Sequence, residues 1–218
     1  MRLPITINML KYIKIELTNS DKSKHDKHLL WATTIICFSG GLRCGEVICE
    51  KPGKFDPDTT LLQRDIKLRS IEVQGNQTQI LQLTLKSEKQ NRSGTPTILD
   101  IYPSNSSICP IKAFKRWQDE KSTEIPNLPA FRWENGENLT KRTFNKFLKD
   151  ICAPLLQGRN GYISGHSLRI GLASLLGSMG FSDQEIMASG RWSSRAFQDY
   201  LKLPRTRRLE MARAISRL

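Results

Sequence analysis

Paired cysteine motifs are missing from this chain. Its five cysteines, Cys37, Cys44, Cys49, Cys109 and Cys152, are odd in number and scattered, with no CxxC pair and no histidine beside them at ligand spacing. That excludes a disulfide framework and a zinc-ribbon type of metal site, and predicts reduced thiols in an intracellular compartment. Long apolar runs are missing too: none approaches the roughly 18 residues of a membrane-spanning helix. The opening MRLPITINML turns polar by Lys11 and has no cleavage-site pattern, so neither secretion nor membrane insertion is indicated. No internal repeat, low-complexity segment or linker divides the chain, and 218 residues suffice for one substantial core but not for two large ones. Acidic residues are in deficit. Asp+Glu 21 against Lys+Arg 34 leaves a formal net charge of +13, a field that attracts polyanions and makes nucleic acid the first partner to consider. Charge speaks to association and not to fold, so a basic but merely solvated surface stays open at this point.

What is present reads as α+β, mostly helical. Thr6 is placed to cap a helix with Ile7, Leu10, Ile13 and Leu17 on one face. Asn19 to Asp26 is polar and charged, a predicted loop, and a second helix is expected over Lys27 to Phe38, apolar enough to be buried on most sides and ended by Gly40-Gly41. Arg43 and Glu46 follow, three apart. They form either a surface ion pair or the foot of a buried helix that needs an anion. Pro52 to Thr60 is rich in turn residues. From Asp65 the hydrophobic period changes to two, through Ile71 and Val73, Leu81, Leu83 and Leu85, and Thr97 to Tyr102, which predicts a small antiparallel sheet. Between its last two strands lies Lys86 to Gly94, dense in cations: a solvated turn or a loop that enters a DNA groove.

Helices are then expected from Pro110, with Ile111, Phe114 and Trp117 inward, and after Thr140, with Phe144, Phe147, Leu148 and Ile151 inward. Lys141, Arg142, Lys146 and Lys149 lie elsewhere on that second helix, either solvated or against phosphates. Ser164-Gly165 opens a helix through Leu175 that sets His166 and Arg169 three apart near an N-terminus, where backbone amides favour anions; a lone histidine there is also an ordinary cap. Ser182 and Glu185 form a capping box, Gly190 ends that helix, and Ser194 is placed to cap one carrying Phe197 and Tyr200. The tail shows a narrow apolar stripe, Leu209, Ala212 and Ile215, among arginines.

Each of these polar residues has a bland explanation alone. In the order Arg43, hairpin lysine, His166-x-x-Arg169 and a tyrosine nine residues after Arg191, they resemble the tyrosine recombinase (phage integrase) family. The likeness extends to its eukaryotic mobile-element branch, the DIRS-type retrotransposons and Cryptons. The stretches that carry it are Arg2 to Thr6, Phe38 to Glu46, Cys109-Pro110, Ser164 to Gly171 and Gly190 to Ser194, and the resemblance runs over essentially the whole chain.

The resemblance implies that residues 1–218 are the family's catalytic domain, with the N-terminal core-binding domain absent. It makes Tyr200 the nucleophile, Arg43 and Arg169 a phosphate clamp, His166 the histidine of the His-x-x-Arg motif, and Glu46 a supporting acid. Lys89 becomes the hairpin lysine, with Lys86 its competitor. At the position nine before the tyrosine the family usually has His or Trp, whereas this chain has Arg191 followed by Trp192. Either Arg191 donates to the phosphate or Trp192 packs against Tyr200.

The expected partner is double-stranded DNA, contacted through Lys86, Arg92, Lys141, Arg142 and Lys146. Self-association on DNA as a dimer or tetramer, with the C-terminal helix exchanged between protomers, is expected too, in the nucleus and with no cofactor, metal or membrane. The implied chemistry is transesterification through a 3′-phosphotyrosyl bond. The alternatives are a DNA-binding descendant that no longer cuts and a type IB topoisomerase.

Overall fold

Apolar residues at helical spacing and a capping threonine produce the first helix as expected: α1 spans Ile7–Asn19, and the Thr6 hydroxyl accepts the Met9 N–H at 3.3 Å. The computed structural model describes residues 1–86, 95–121 and 125–192. Tyr200, Lys89, Arg92, the helix expected after Ser194 and the apolar tail lie outside the described residues.

The second helix begins earlier than its apolar run. α2 covers Lys24–Ser39, because the Ser23 side chain accepts the Asp26 N–H at 3.2 Å and caps three polar residues ahead of the hydrophobic stretch. Every residue from Leu29 to Phe38 is buried. Thr33 and Thr34 enter that core by donating their hydroxyls to the Leu29 and Leu30 carbonyls at 2.8 and 2.7 Å, which satisfies groups that would otherwise be costly to bury. α2 is the central post, packed on by α1, α4 (Pro110–Gln118) and α6 (His166–Ser178).

The sheet has the order β1 (Ile66–Val73), β2 (Asn76–Leu85), β3 (Thr97–Ile101), antiparallel throughout. Val73 pairs with Asn76 across Gln74-Gly75, both at positive φ, the two-residue hairpin whose twist matches the strands. Leu81, Leu83 and Leu85 turn one face of β2 into the core, where they meet Ile66 and Ile101. The end of α2 lies directly against this sheet: a Cβ on Gly40 would stand 3.0 Å from both Leu99 and Ile101 side chains. Gly41 then takes φ +55, a left-handed turn that redirects the chain into α3 (Cys44–Val47).

α5 (Lys141–Cys152) is capped by Thr140, whose hydroxyl accepts the Thr143 N–H at 3.2 Å, and buries Phe144 and Leu148. α6 runs three residues beyond its expected end, to Ser178. α7 (Asp183–Gly190) carries the expected Ser182–Glu185 capping box. The N-terminal stretch is bound to the entry of α6: Leu3 N–H donates to Tyr162 C=O and Ile5 N–H to Ser167 C=O, both at 3.0 Å. Among the described residues no helix is long and apolar enough to cross a membrane.

Candidate active site

The turn after α2, the start of α5 and the start of α6 enclose a cleft of about 690 Å³, lined by Arg2, Arg43, Glu46, Lys141, Asn145, Tyr162 and His166 among others. Each wall has a local cause. Arg43 is the residue before α3, delivered there by the Gly41 turn. His166 is the first residue of α6, and Gly165 ahead of it donates its N–H to Asn145 Oδ1 at 2.7 Å, tying α6 to α5. Gly165 is required: a Cβ there would fall 1.6 Å from Cys44 Sγ. Cys44 is one of five buried cysteines, and the hydrogen bond between Cys37 and Cys44, together with burial and the nearby Cys44 and Glu46, pushes the Cys37 thiol well above its ordinary range. The Cys37 thiol is thereby kept protonated and is wall material, not a nucleophile.

Glu46 organises the floor. Its carboxylate accepts the Arg43 N–H at 2.8 Å, Arg43 Nη1 at 3.3 Å and Arg191 Nη2 at 3.1 Å. With its side chain 5% exposed, Glu46 is not the partner in a surface pair. Arg191 also donates to the Gly40 carbonyl at 3.1 Å, so it reaches back across the α2 terminus. It does so from an unusual backbone. Arg191 has φ +52 and occupies the left-handed position that ends α7: its N–H donates to Ala188 C=O and the Trp192 N–H to Met187 C=O at 2.9 Å, the paired bonds of a Schellman terminus, where glycine is usual. The glycine lies one residue earlier, and the Trp192 ring occupies the space that a Gly190 side chain would take.

Arg169 is buried, at 1% exposure. Its guanidinium donates to the Gly41 carbonyl and lies 4.3 Å from the centre of the Trp192 ring. Trp192 thus has a described partner in Arg169. The structure therefore gathers Arg43, Glu46, His166 and Lys141 around the cleft, and sets Arg169, Arg191 and Trp192 in the layer that holds its walls.

Charge collects at His166. Burial first, then the charges of Arg2, Arg169 and Arg43, lower its pKa to about 4. The imidazole is neutral near pH 7, with a lone pair and an N–H to offer.

The expected DNA-contacting lysines separate. Lys141 lines the cleft and pairs with Glu50 at 3.5 Å, and Arg142 is exposed on α5. Lys146 pairs with Asp150 at 2.5 Å and borders a different groove, beside Trp133 and Phe147. Lys86 is anchored at the end of β2, 2.6 Å from Asp65 and donating to the Pro57 carbonyl at 3.0 Å. Arg2, Asn145 and Tyr162 line the cleft without having been assigned a part in the site from the sequence. Asn145 was findable, four residues after Lys141 on one helix face; Tyr162 carried no signal. Among the described residues no group of three or more His, Cys, Asp or Glu is placed to hold a metal ion.

No protein-family model matches the chain, and no curated protein matches it by sequence. Solved structures do match by shape. The XerH site-specific recombinase bound to palindromic difH substrate, in a post-cleavage complex, aligns over 100% of this chain and 54% of its own, with TM-score 0.64 and 15% identity. The FLP recombinase–Holliday junction complex aligns over 85% and 43%, with TM-score 0.58 and 17% identity. The Tn1549 transposon integrase (aa 82–397) in complex with circular intermediate DNA aligns over 97% and 67%, with TM-score 0.54 and 14% identity. The chain thus spans about half the length of the XerH recombinase. Its fold is the α+β, mostly helical fold of the tyrosine recombinase catalytic domain.

Proposed function

We propose that this chain is the catalytic domain of a site-specific DNA recombinase. In this reading it cuts and rejoins duplex DNA through a 3′-phosphotyrosyl intermediate and serves the integration or excision of a mobile element in a nucleus. The observation that carries the proposal is the cleft itself. Arg43 and a neutral His166 face one open cavity, and Glu46 ties its floor to Arg191, nine residues before Tyr200.

The residues divide the work as follows. Arg43 offers a forked guanidinium to the non-bridging oxygens of a phosphodiester and stabilises the charge that grows in the pentavalent transition state. Arg169 and Arg191 act through the wall: one braces the Gly41 carbonyl, the other holds Glu46 and Gly40. Tyr200 attacks the phosphorus, and its phenolic proton passes to the neutral His166 imidazole. The bond from phosphorus to the 5′ oxygen breaks, and Lys89 gives that oxygen its proton. Rejoining is the reverse reaction with another 5′-hydroxyl, and the phosphotyrosyl bond conserves the energy.

Lys86 is not the acid in this scheme, because Asp65 and the Pro57 carbonyl hold its ammonium at the strand end. Lys141 and Arg142 contact DNA from α5. The tail with Leu209, Ala212 and Ile215 docks on a neighbouring protomer in the assembly on DNA. A cysteine crosslinker at Ile215 should then give adducts between chains; adducts within one chain alone, even on DNA, would refute the exchange.

The decisive test is incubation with a nicked suicide duplex, which traps a covalent protein–DNA adduct. Tyr200→Phe should abolish the adduct and leave DNA affinity unchanged. An adduct that persists in the Phe variant removes Tyr200 from the role, and DNA binding with no adduct in the unaltered protein supports a binding protein that no longer cuts.

A further inference from the structure

Two residues that the chemistry above does not use stand side by side on the rim of the cleft. Arg2 and Tyr162 form a parallel backbone bridge, fixed by Leu3 N–H donating to Tyr162 C=O at 3.0 Å and Tyr162 N–H donating to Met1 C=O at 3.1 Å. The Arg2 guanidinium lies 5.8 Å from the centre of the Tyr162 ring, and both side chains are exposed and line the cleft. The other cations of the cleft have carboxylate partners, Arg43 with Glu46 and Lys141 with Glu50. No described acidic residue lies within ion-pairing distance of Arg2.

A guanidinium placed on an aromatic face loses little further freedom when it binds, and it keeps its forked donors for a planar or tetrahedral anion. The neighbouring phenol adds an O–H donor. The charge of Arg2 already reaches into the site, since it is the first charged group, after burial, among the causes that lower the His166 pKa.

We propose that Arg2 and Tyr162 form a subsite for a second backbone phosphate of the bound duplex, on the open side of the cleft beyond the phosphate that Arg43 holds. Arg2 supplies the charge and Tyr162 the platform that aims it. The inference rests on the DNA-binding reading and assigns a register contact to it: with two phosphates held, the duplex can neither slide nor rotate within the cleft.

The test is the salt dependence of binding to a fluorescein-labelled mixed-sequence duplex of about 30 base pairs, read by anisotropy. A pH of about 8 keeps His166 neutral whether or not Arg2 is present. Losing one phosphate contact should reduce the slope of log K against log salt by about 0.9 in Arg2→Ala. Arg2→Lys should keep the slope. Tyr162→Ala should also keep it while lowering affinity about two- to fivefold, the worth of an exposed cation–π contact. An unchanged slope in Arg2→Ala, in a variant with the unaltered thermal midpoint, overturns the subsite and leaves the DNA-binding reading standing. No measurable binding by the unaltered protein overturns the DNA-binding reading itself, and the subsite with it.

Discussion

Glu46→Ala removes a carboxylate shared by Arg43 and Arg191, and its cost follows from the three hydrogen bonds that this carboxylate accepts. The Arg191–Glu46 pair has side chains 15% and 5% exposed, and stripping one partner from a buried pair costs about 3–5 kcal/mol. Arg191 keeps some contact with water and its bond to Gly40, so the lower figure, about 3 kcal/mol, applies. The Arg43 side chain is 32% exposed, and its ion pair adds at most about 1 kcal/mol. The Arg43 N–H loses its 2.8 Å acceptor, for about 1–2 kcal/mol. These three terms share one group and do not add fully, which leaves about 3–4 kcal/mol in all.

A domain of ordinary stability, about 5–15 kcal/mol, survives that change folded. At a urea dependence of about 2 kcal/mol/M the midpoint should fall by about 1.5–2 M with unchanged slope. Glu46→Gln should cost about half as much, because its amide oxygen still accepts from the Arg43 N–H. Arg191→Ala leaves a non-glycine residue at φ +52 and so isolates the side chain. The double-mutant cycle between positions 46 and 191 should return a coupling of about 2 kcal/mol. Coupling within about 0.5 kcal/mol of zero would refute the claim that Glu46 and Arg191 hold the floor of the cleft together.

His166 should titrate at about 4 in the free protein, below its ordinary value. Its folded pKa is depressed, so the unfolded chain takes up the proton first and stability is lost as pH falls from about 6.5 towards the folded value. A phosphodiester bound among Arg2 and Arg43 offsets their charge and should move the titration upward, as followed on the imidazole protons by NMR with and without duplex; a free-protein value at or above the ordinary one refutes the assignment. For the hairpin, a substrate with a 5′-bridging sulfur, whose thiolate leaves without a proton, should rescue cleavage by Lys89→Ala and not by Arg43→Ala. Lys86→Ala should instead lower the unfolding midpoint through loss of the Asp65 pair, and rescue of that variant by the sulfur substrate would exchange the two lysines.

The parts of the fold that are legible in the sequence are those where one local cause acts alone. Thr6, Thr140 and Ser182 cap as expected because capping depends on three or four neighbouring residues. The sheet follows from alternation along Leu81, Leu83 and Leu85. The start of α2 differs from expectation because Ser23 caps a turn of polar residues, which hydrophobic periodicity does not register. The cleft is half legible. Arg43, Glu46 and His166 are singled out by motif spacing and do meet, but Arg2 and Tyr162 arrive from distant parts of the chain, and no spacing rule connects them. Nor does sequence show depth. The His-x-x-Arg spacing picks out Arg169 but does not tell that it lies buried between the Gly41 carbonyl and the Trp192 ring.

The left-handed end of α7 has a consequence for how this site can change by mutation. At position 191 the backbone favours glycine, since φ +52 costs any other residue about 1–2 kcal/mol, while the side-chain bonds to Glu46 and Gly40 favour arginine. With Glu46 present, Arg191→Gly forfeits more in hydrogen bonding than it gains in backbone ease. With Glu46 already replaced, the bond to Gly40 still favours arginine against the preference of the backbone for glycine, and the two are of similar size. The two positions are coupled: a lineage that loses the acid loosens its hold on the arginine.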